Sequence, residues 1–278
     1  MVVLETKSCS KYFGGLKALE NFDFHVDEGE IVGLIGPNGA GKTTLFNCVT
    51  GVYRPTSGKI LLRPYPVLTG VISRQQKTVS DIVGLRPDEI ARLGVARTFQ
   101  GIKLFSGMTA LENVMVGQFS KTRASVWSAI LGSRRMKEEE DATLSNSMVL
   151  LKFVGLESYR DELAQNLPYG LQRRLEIARA LATNPHFLLL DEPAAGMNPV
   201  ELADLMNLVR KIREQGITIL LIEHHMGLVM RLCERIAVLD YGVKIAEGSP
   251  SEIQNNEKVI EAYLGKSNSK LQTPNNNQ

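Results

Sequence analysis

The sequence predicts an α/β fold built on a parallel sheet, and three observations carry that expectation. An all-apolar run, Ile31–Ile35, feeds a glycine-rich turn and then a helical stretch. Further along, apolar runs at 186–190, 217–223 and 235–240 alternate with helical patterns, the arrangement that builds parallel sheets covered on both faces. The helix between the first two of these runs is marked at both ends. Asn198 can cap it, Pro199 suits its first position, Glu201 its third, and Gly216 closes it. Its Leu202, Leu205, Met206, Val209 and Ile212 fall on one face.

Phe22, Phe24 and Val26 alternate with Asp23, His25 and Asp27, the period-2 pattern of a half-buried strand, and Asp27-Glu28-Gly29-Glu30 supplies a turn. A helix is expected over 43–50, closed by Gly51. Residues 59–88, with prolines at 64, 66 and 87, read as an irregular excursion with short strands. Pro87-Asp88-Glu89-Ile90 opens a short helix that Gly94 ends. The middle, roughly 101–165, reads as helical, with Thr109 and Glu112 spaced as a capping box. The polar, asparagine-rich tail at 266–278 is expected to be disordered.

Composition narrows the function classes. The 278 residues are 44% hydrophobic and 22% charged, ordinary for a globular chain with a substantial core. A net charge of +2, from 32 basic and 30 acidic residues, lacks the basic footprint of a nucleic-acid binder. Cys9, Cys48 and Cys233 are too scattered for a disulfide framework or a zinc site and read as reduced thiols. No apolar run is long enough to span a bilayer and no secretion leader is evident, so a membrane role is expected to come through a partner.

Gly36-Pro37-Asn38-Gly39-Ala40-Gly41-Lys42-Thr43-Thr44 fits G-x-x-x-x-G-K-[ST], between an apolar strand and a helix as that motif requires. A triphosphate needs many short-range donors. Glycines let backbone N–H groups converge on it, and the helix N-terminus adds its positive end. Lys42 then reaches the outer phosphates, and the Thr43 hydroxyl is placed to ligate Mg²⁺. The second half of the chain supplies carboxylates at a buried strand end, Leu190-Asp191-Glu192-Pro193. Asp191 suits Mg²⁺, through water, and Glu192 suits a general base polarising the attacking water. Ile222-Glu223-His224-His225 ends the next strand, which puts His224 beside that pair as a γ-phosphate sensor and leaves His225 as a surface residue. Gln100, between the core and the helical middle, is a candidate hinge touching Mg²⁺ or the attacking water.

On these residues, the chain resembles ABC transporter ATP-binding subunits over 3–265, most closely those of bacterial branched-chain amino-acid importers. The resemblance rests on Phe13-Gly14-Gly15-Leu16, the glycine loop, Arg97-Thr98-Phe99-Gln100, QRRLEIAR at 172–179, LDEPAAGMNP at 190–199, Ile222-Glu223-His224 and EAYLG at 261–265. It implies a cassette over 2–265 with a mixed or parallel core sheet, an antiparallel β subdomain and an inserted helical subdomain at about 101–165. It also implies that Phe13 stacks on adenine, Gln100 forms the Q-loop, His224 is the switch histidine and residues 195–198 form the D-loop. ATP and Mg²⁺ are the implied ligands. The implied partners are a second ABC ATPase, identical or related, two integral membrane permeases docked on the helical segment, and indirectly an external substrate-binding protein. The implied location is the cytoplasmic face of the membrane. In such dimers each site joins one chain's glycine loop to the other chain's signature. Here the usual Leu-Ser-Gly-Gly-Gln is Leu167-Pro168-Tyr169-Gly170-Leu171. Pro168 removes a hydroxyl and an N–H donor, and Gly170 with the following helix start remains as the nucleotide contact.

Three other readings compete. One is an ABC ATPase for another cargo, such as urea, a sugar or lipopolysaccharide, since cargo is recognised by other subunits. Another is a soluble ABC protein on ribosomes or DNA, disfavoured by the near-neutral charge and the single cassette. The third, a catalytically silent scaffold, is opposed by Glu192.

Overall fold

The computed structural model describes residues 1–63, 79–118 and 134–264. The tail expected to be disordered, and residues 64–78 of the proline-bearing excursion, lie outside them.

Two sheets organise the chain. Strands β1 (Val2–Phe13), β2 (Leu16–Asp27), β4 (Ser57–Leu62) and β5 (Ser80–Asp81) form an antiparallel sheet in the order β2-β1-β4-β5. The central sheet adds β3 (Ile31–Ile35), β6 (Val95–Arg97), β7 (Phe187–Asp191), β8 (Thr218–Ile222), β9 (Arg235–Asp240) and β10 (Val243–Gly248), in the order β10-β9-β3-β8-β7-β6. Every pairing among β9, β3, β8, β7 and β6 is parallel, and β10 closes one edge antiparallel to β9. The parallel sheet expected from the apolar runs is therefore present, with strand ends within a residue or so of the sequence boundaries.

Period 2 explains why the central runs are apolar throughout. Leu188, Leu190, Ile219 and Leu221 enter the core on one face, whereas Phe187, Leu189, Leu220 and Ile222 enter the core on the other. The second of these cores also takes Phe22, Phe24 and Val26 of the antiparallel sheet and Leu45, Phe46 and Val49 of the helix Lys42–Val49. The first is covered by the helices Tyr169–Ala182, Pro199–Glu214 and Met226–Leu232. No helix among the described residues is long and apolar enough to cross a membrane.

Local rules held where they were strongest. Asn198 Oδ1 accepts from Val200 N at 2.9 Å and Glu201 N at 3.0 Å, closing the expected capping box. Thr109 N donates to Glu112 Oε2 at 2.7 Å while Glu112 N donates to Thr109 Oγ1 at 3.2 Å, at the start of Ala110–Gln118. That helix packs on Tyr169–Ala182 so closely that a Cβ on Gly117 would lie 2.4 Å from the Arg179 carbonyl oxygen. Among the described residues, the helical middle comprises Ala110–Gln118 and Arg134–Phe153, with short 3₁₀ turns at Glu157–Tyr159 and Ala164–Asn166.

Candidate functional site

The parallel strands β3, β8 and β7 all point their C-terminal ends to one edge, where ligands of open α/β sheets bind. Register fixes the meeting point: Asp191 pairs with Ile222, so the chain leaves β7 and β8 side by side. The loop after β3 opens next to them, because β3 pairs with β8.

That loop is shaped by its glycines. Gly36, Gly39 and Gly41 have φ of 148°, 80° and 107°, conformations that side-chain-bearing residues rarely adopt. A Cβ at Gly41 would stand 2.3 Å from the Ala18 carbonyl oxygen, and one at Gly36 2.1 Å from that of Leu239. Turns and neighbours hold the rest: Ala40 N donates to Pro37 O at 3.2 Å, and Gly242 N to Ala40 O at 2.9 Å. The first helical bond is Leu45 N–H to Gly41 O at 3.0 Å. The N–H groups of Lys42, Thr43 and Thr44 thus precede the intrahelical ladder and face outward at the positive end of the helix dipole. Lys42 is buried, and its Nζ donates to Gly36 O at 2.7 Å and Pro37 O at 2.9 Å. Burial lowers its pKa, while Glu192 and Asp191 oppose the shift through their charge, which places both carboxylates in its field. Asn38 and Thr43 are exposed at the mouth.

Glu192 occupies the centre. Its backbone sits at φ 47°, left-handed for a residue with a side chain, and its N–H donates to Ile222 O at 2.9 Å. One carboxylate oxygen accepts from Gln100 Nε2 at 2.9 Å, and the other lies 2.6 Å from His224 Nε2. Gln100, Glu192 and His224, separated by 92 and 32 residues in sequence, thus form one hydrogen-bonded row. The neighbouring Asp191 is buried, and Arg97 Nη2 donates to its Oδ2 at 2.7 Å. Burial raises the Asp191 carboxyl above its ordinary range, with Arg97 opposing.

Thr43, Gln100 and Asp191 offer oxygen atoms of the kind preferred by a hard divalent cation of the Mg²⁺ type, which takes one or two carboxylates beside phosphate oxygens and water. An independent metal cage is not there: no cluster of three or more His, Cys, Asp or Glu side chains forms one among the described residues.

Two further expected nucleotide contacts make no recorded bond to this row. Phe13 is exposed, 5.2 Å edge-to-face from Tyr53, with Lys11 Nζ 4.9 Å over its ring. Gly170 opens the helix Tyr169–Ala182, and its nearest neighbour would be Glu201 Oε1, 2.5 Å from an added Cβ. Pro168 is the residue that caps this helix, where its carbonyl accepts from Leu171 N and Gln172 N, both at 2.9 Å. The helix start therefore survives the proline, which itself removes only the hydroxyl and one N–H.

Several residues escaped sequence reasoning. Glu223, buried, accepts from Ala194 N at 2.7 Å and from His224 N at 3.0 Å, tying the segment after β7 to the end of β8. Arg97 stacks 5.3 Å from Phe46 and 5.1 Å from Phe99 while donating to Asn47 Oδ1 at 2.7 Å. His225 does more than face solvent: its Nδ1 accepts from Leu228 N at 3.2 Å, capping the next helix. A short apolar run followed by an acidic residue was the only sequence signal for Glu223, and it was absorbed by the histidine beside it.

Known proteins share this chain's pattern. The family profile described as ABC transporter matches residues 19–195, and one described as branched-chain amino acid ATP-binding cassette transporter matches 243–267. The chain is 45% identical over 254 residues to the high-affinity branched-chain amino acid transport ATP-binding protein LivG of Escherichia coli (strain K12), covering 91% of this chain and 94% of that one. A solved nucleotide-free ATP-binding cassette from an ABC transporter superposes with a TM-score of 0.79 at 33% identity, over 96% of this chain and 100% of that one. A dimeric post-hydrolysis cassette bound to ADP and Pi gives 0.69 at 27% identity, over 89% and 98%.

Proposed function

This chain belongs to the ABC transporter ATP-binding family, and on that premise we propose that it hydrolyses ATP to power uptake of branched-chain amino acids. The observation that carries the hydrolytic part is Glu192 held between Gln100 and His224 beside the Lys42 loop. The cargo rests on the likeness to LivG and on the C-terminal match at 243–267.

Each group has its own task. Backbone N–H groups of 36–44 and the Lys42 ammonium neutralise the triphosphate, and Phe13 offers its exposed ring to adenine. Thr43, Asp191 and Gln100 would hold Mg²⁺, which when bound screens the phosphate charge. Glu192 takes a proton from the attacking water, oriented by Gln100 Nε2, and His224 Nε2 hydrogen-bonds the γ-phosphate side. Positioned acid–base help of this kind is worth about 10²–10⁴ in rate.

On the same reading the chain is a cassette over 2–265, its helical lobe at about 101–165, on the cytoplasmic face of a membrane. A groove of about 570 Å³ runs between the helical lobe and the core, lined by Val52, Ile90, Phe99, Lys103, Phe105 and Arg179. It is the seat for a helix of a membrane permease. A second cassette, identical or related, supplies the opposite signature. An external binding protein delivers cargo to the permeases.

The test is leucine uptake in cells carrying this chain with its permeases, against Glu192→Gln. Uptake that collapses in the variant, with the complex still assembled on membranes, supports the reading. Wild-type uptake in the variant, or selective uptake of urea or a sugar, overturns it.

A further inference from the structure

The helix Tyr169–Ala182 carries two charges where a helix should carry none, because both are buried: the Arg173 side chain is 0% exposed and that of Glu176 2%. They pair at 2.7 Å, but neither is satisfied by the pair alone. Arg173 Nη1 donates to Phe99 O at 2.7 Å, and Nη2 to Gln100 O at 2.8 Å and Tyr169 Oη at 3.3 Å. Glu176 Oε1 accepts from Phe99 N at 3.3 Å and Lys103 N at 3.4 Å. Apolar side chains would close this core at lower desolvation cost. What the charges add is a set of directional bonds from one helix to the backbone on both sides of Gln100.

We propose that the Arg173–Glu176 pair is a positioning device that locks the Gln100 segment of this chain's own hydrolytic site to the Tyr169–Gly170 helix start, so that both shift as one body. The inference rests on the reading above, in which Gln100 serves this chain's nucleotide and Gly170 serves that of the second cassette. The pair then couples the two nucleotides of the dimer. It also reaches the docking groove, since Lys103, Phe99 and Glu176 line that groove. A permease helix that moves the 99–103 backbone pulls on the signature helix through two buried side chains.

The experiment uses the full chain with Glu192→Gln as parent, in MgATP, so that hydrolysis does not dissolve the dimer. Arg173→Met/Glu176→Leu replaces the pair by an apolar one that fits a buried position. The double variant is expected to bind a fluorescent ATP analogue as the parent does, because the 36–44 loop is untouched. Its ATP-driven dimerisation should weaken about tenfold or more, and amide exchange of a 98–104 peptide should rise. Arg173→Lys keeps the ion pair but lacks the fork that reaches two carbonyls at once. It should weaken the dimer while binding of the fluorescent ATP analogue stays at the parent level, a split that general destabilisation of the fold would not give. Parent-like dimerisation and exchange in either folded variant overturn the link. A parent that binds no nucleotide, or binds it and stays monomeric, overturns instead the reading on which the link stands, and the link with it.

Discussion

Glu223→Gln isolates a residue outside the proposed triphosphate contacts that anchors one inside them, His224. The carboxylate spends both oxygens on backbone donors: Oε1 on Ala194 N at 2.7 Å, Oε2 on His224 N at 3.0 Å and on His225 N at 3.3 Å. An amide keeps one oxygen, so at least one charge-assisted bond is lost and one N–H faces another in a buried place. Bonds to charged groups contribute about 1.5–3 kcal/mol each, which sets the loss at about 2–3 kcal/mol. For a chain of this size each kcal/mol moves the melting point by roughly 2–4 °C, so a fall of about 5–10 °C is expected by thermal unfolding. His224 loses its backbone anchor, and misplacement near 1 Å lowers turnover up to about 10²-fold. ATP affinity stays as it was, because the 36–44 loop is untouched. A melting point within 1 °C of wild type (roughly the resolution of a few tenths of a kcal/mol) together with unchanged phosphate release would refute the reasoning.

Other substitutions probe the remaining parts. Gly41→Ala combines a φ of 107° with a Cβ 2.3 Å from Ala18 O; nucleotide affinity should drop about tenfold or more by fluorescence titration, strain of this type being about 1–3 kcal/mol. Asn198→Ala removes an acceptor shared by two N–H groups and should lower stability by about 1 kcal/mol in urea unfolding. His186 is buried, its Nε2 donates to Arg63 O at 3.2 Å, and burial depresses its pKa from 6.5 to about 4. The unfolded chain therefore takes up that proton first as pH falls. The contribution is whole above pH 6.5 and drains away toward pH 4, by up to about 3 kcal/mol. His186→Gln should flatten the stability profile across that window.

Much of the core was legible because the physics is local. Strands buried on both faces must be apolar throughout, so Ile31–Ile35 and Phe187–Asp191 stand out, and glycines that must hold positive φ next to a phosphate leave a motif. Glu192 and His224 stood out because one directly follows such a strand and the other stands two residues past the end of its neighbour. Arg97, Arg173 and Glu176 were not. In sequence, QRRLEIAR at 172–179 has the charge spacing of a solvated helix face, and only the packing of the 99–103 backbone onto it turns Arg173 and Glu176 inward. Arg97 meets Asp191 across 94 residues, a partnership set by β6 lying beside β7 and by nothing local. Pro168 shows the reverse case. The sequence suggested a damaged signature, yet a proline at a helix cap leaves the following N–H groups in place.

On the proposed reading, one triphosphate is gripped by the 36–44 loop and faced by Glu192, Gln100 and His224 together. A crystal structure of Glu192→Gln with MgATP tests it most directly. Phosphate density is expected along 36–44, with the γ-phosphate within hydrogen-bond reach of Lys42 Nζ and of the 192 and 224 side chains. Nucleotide bound with its phosphates away from that loop, or with the 192 and 224 side chains turned from them, would contradict it.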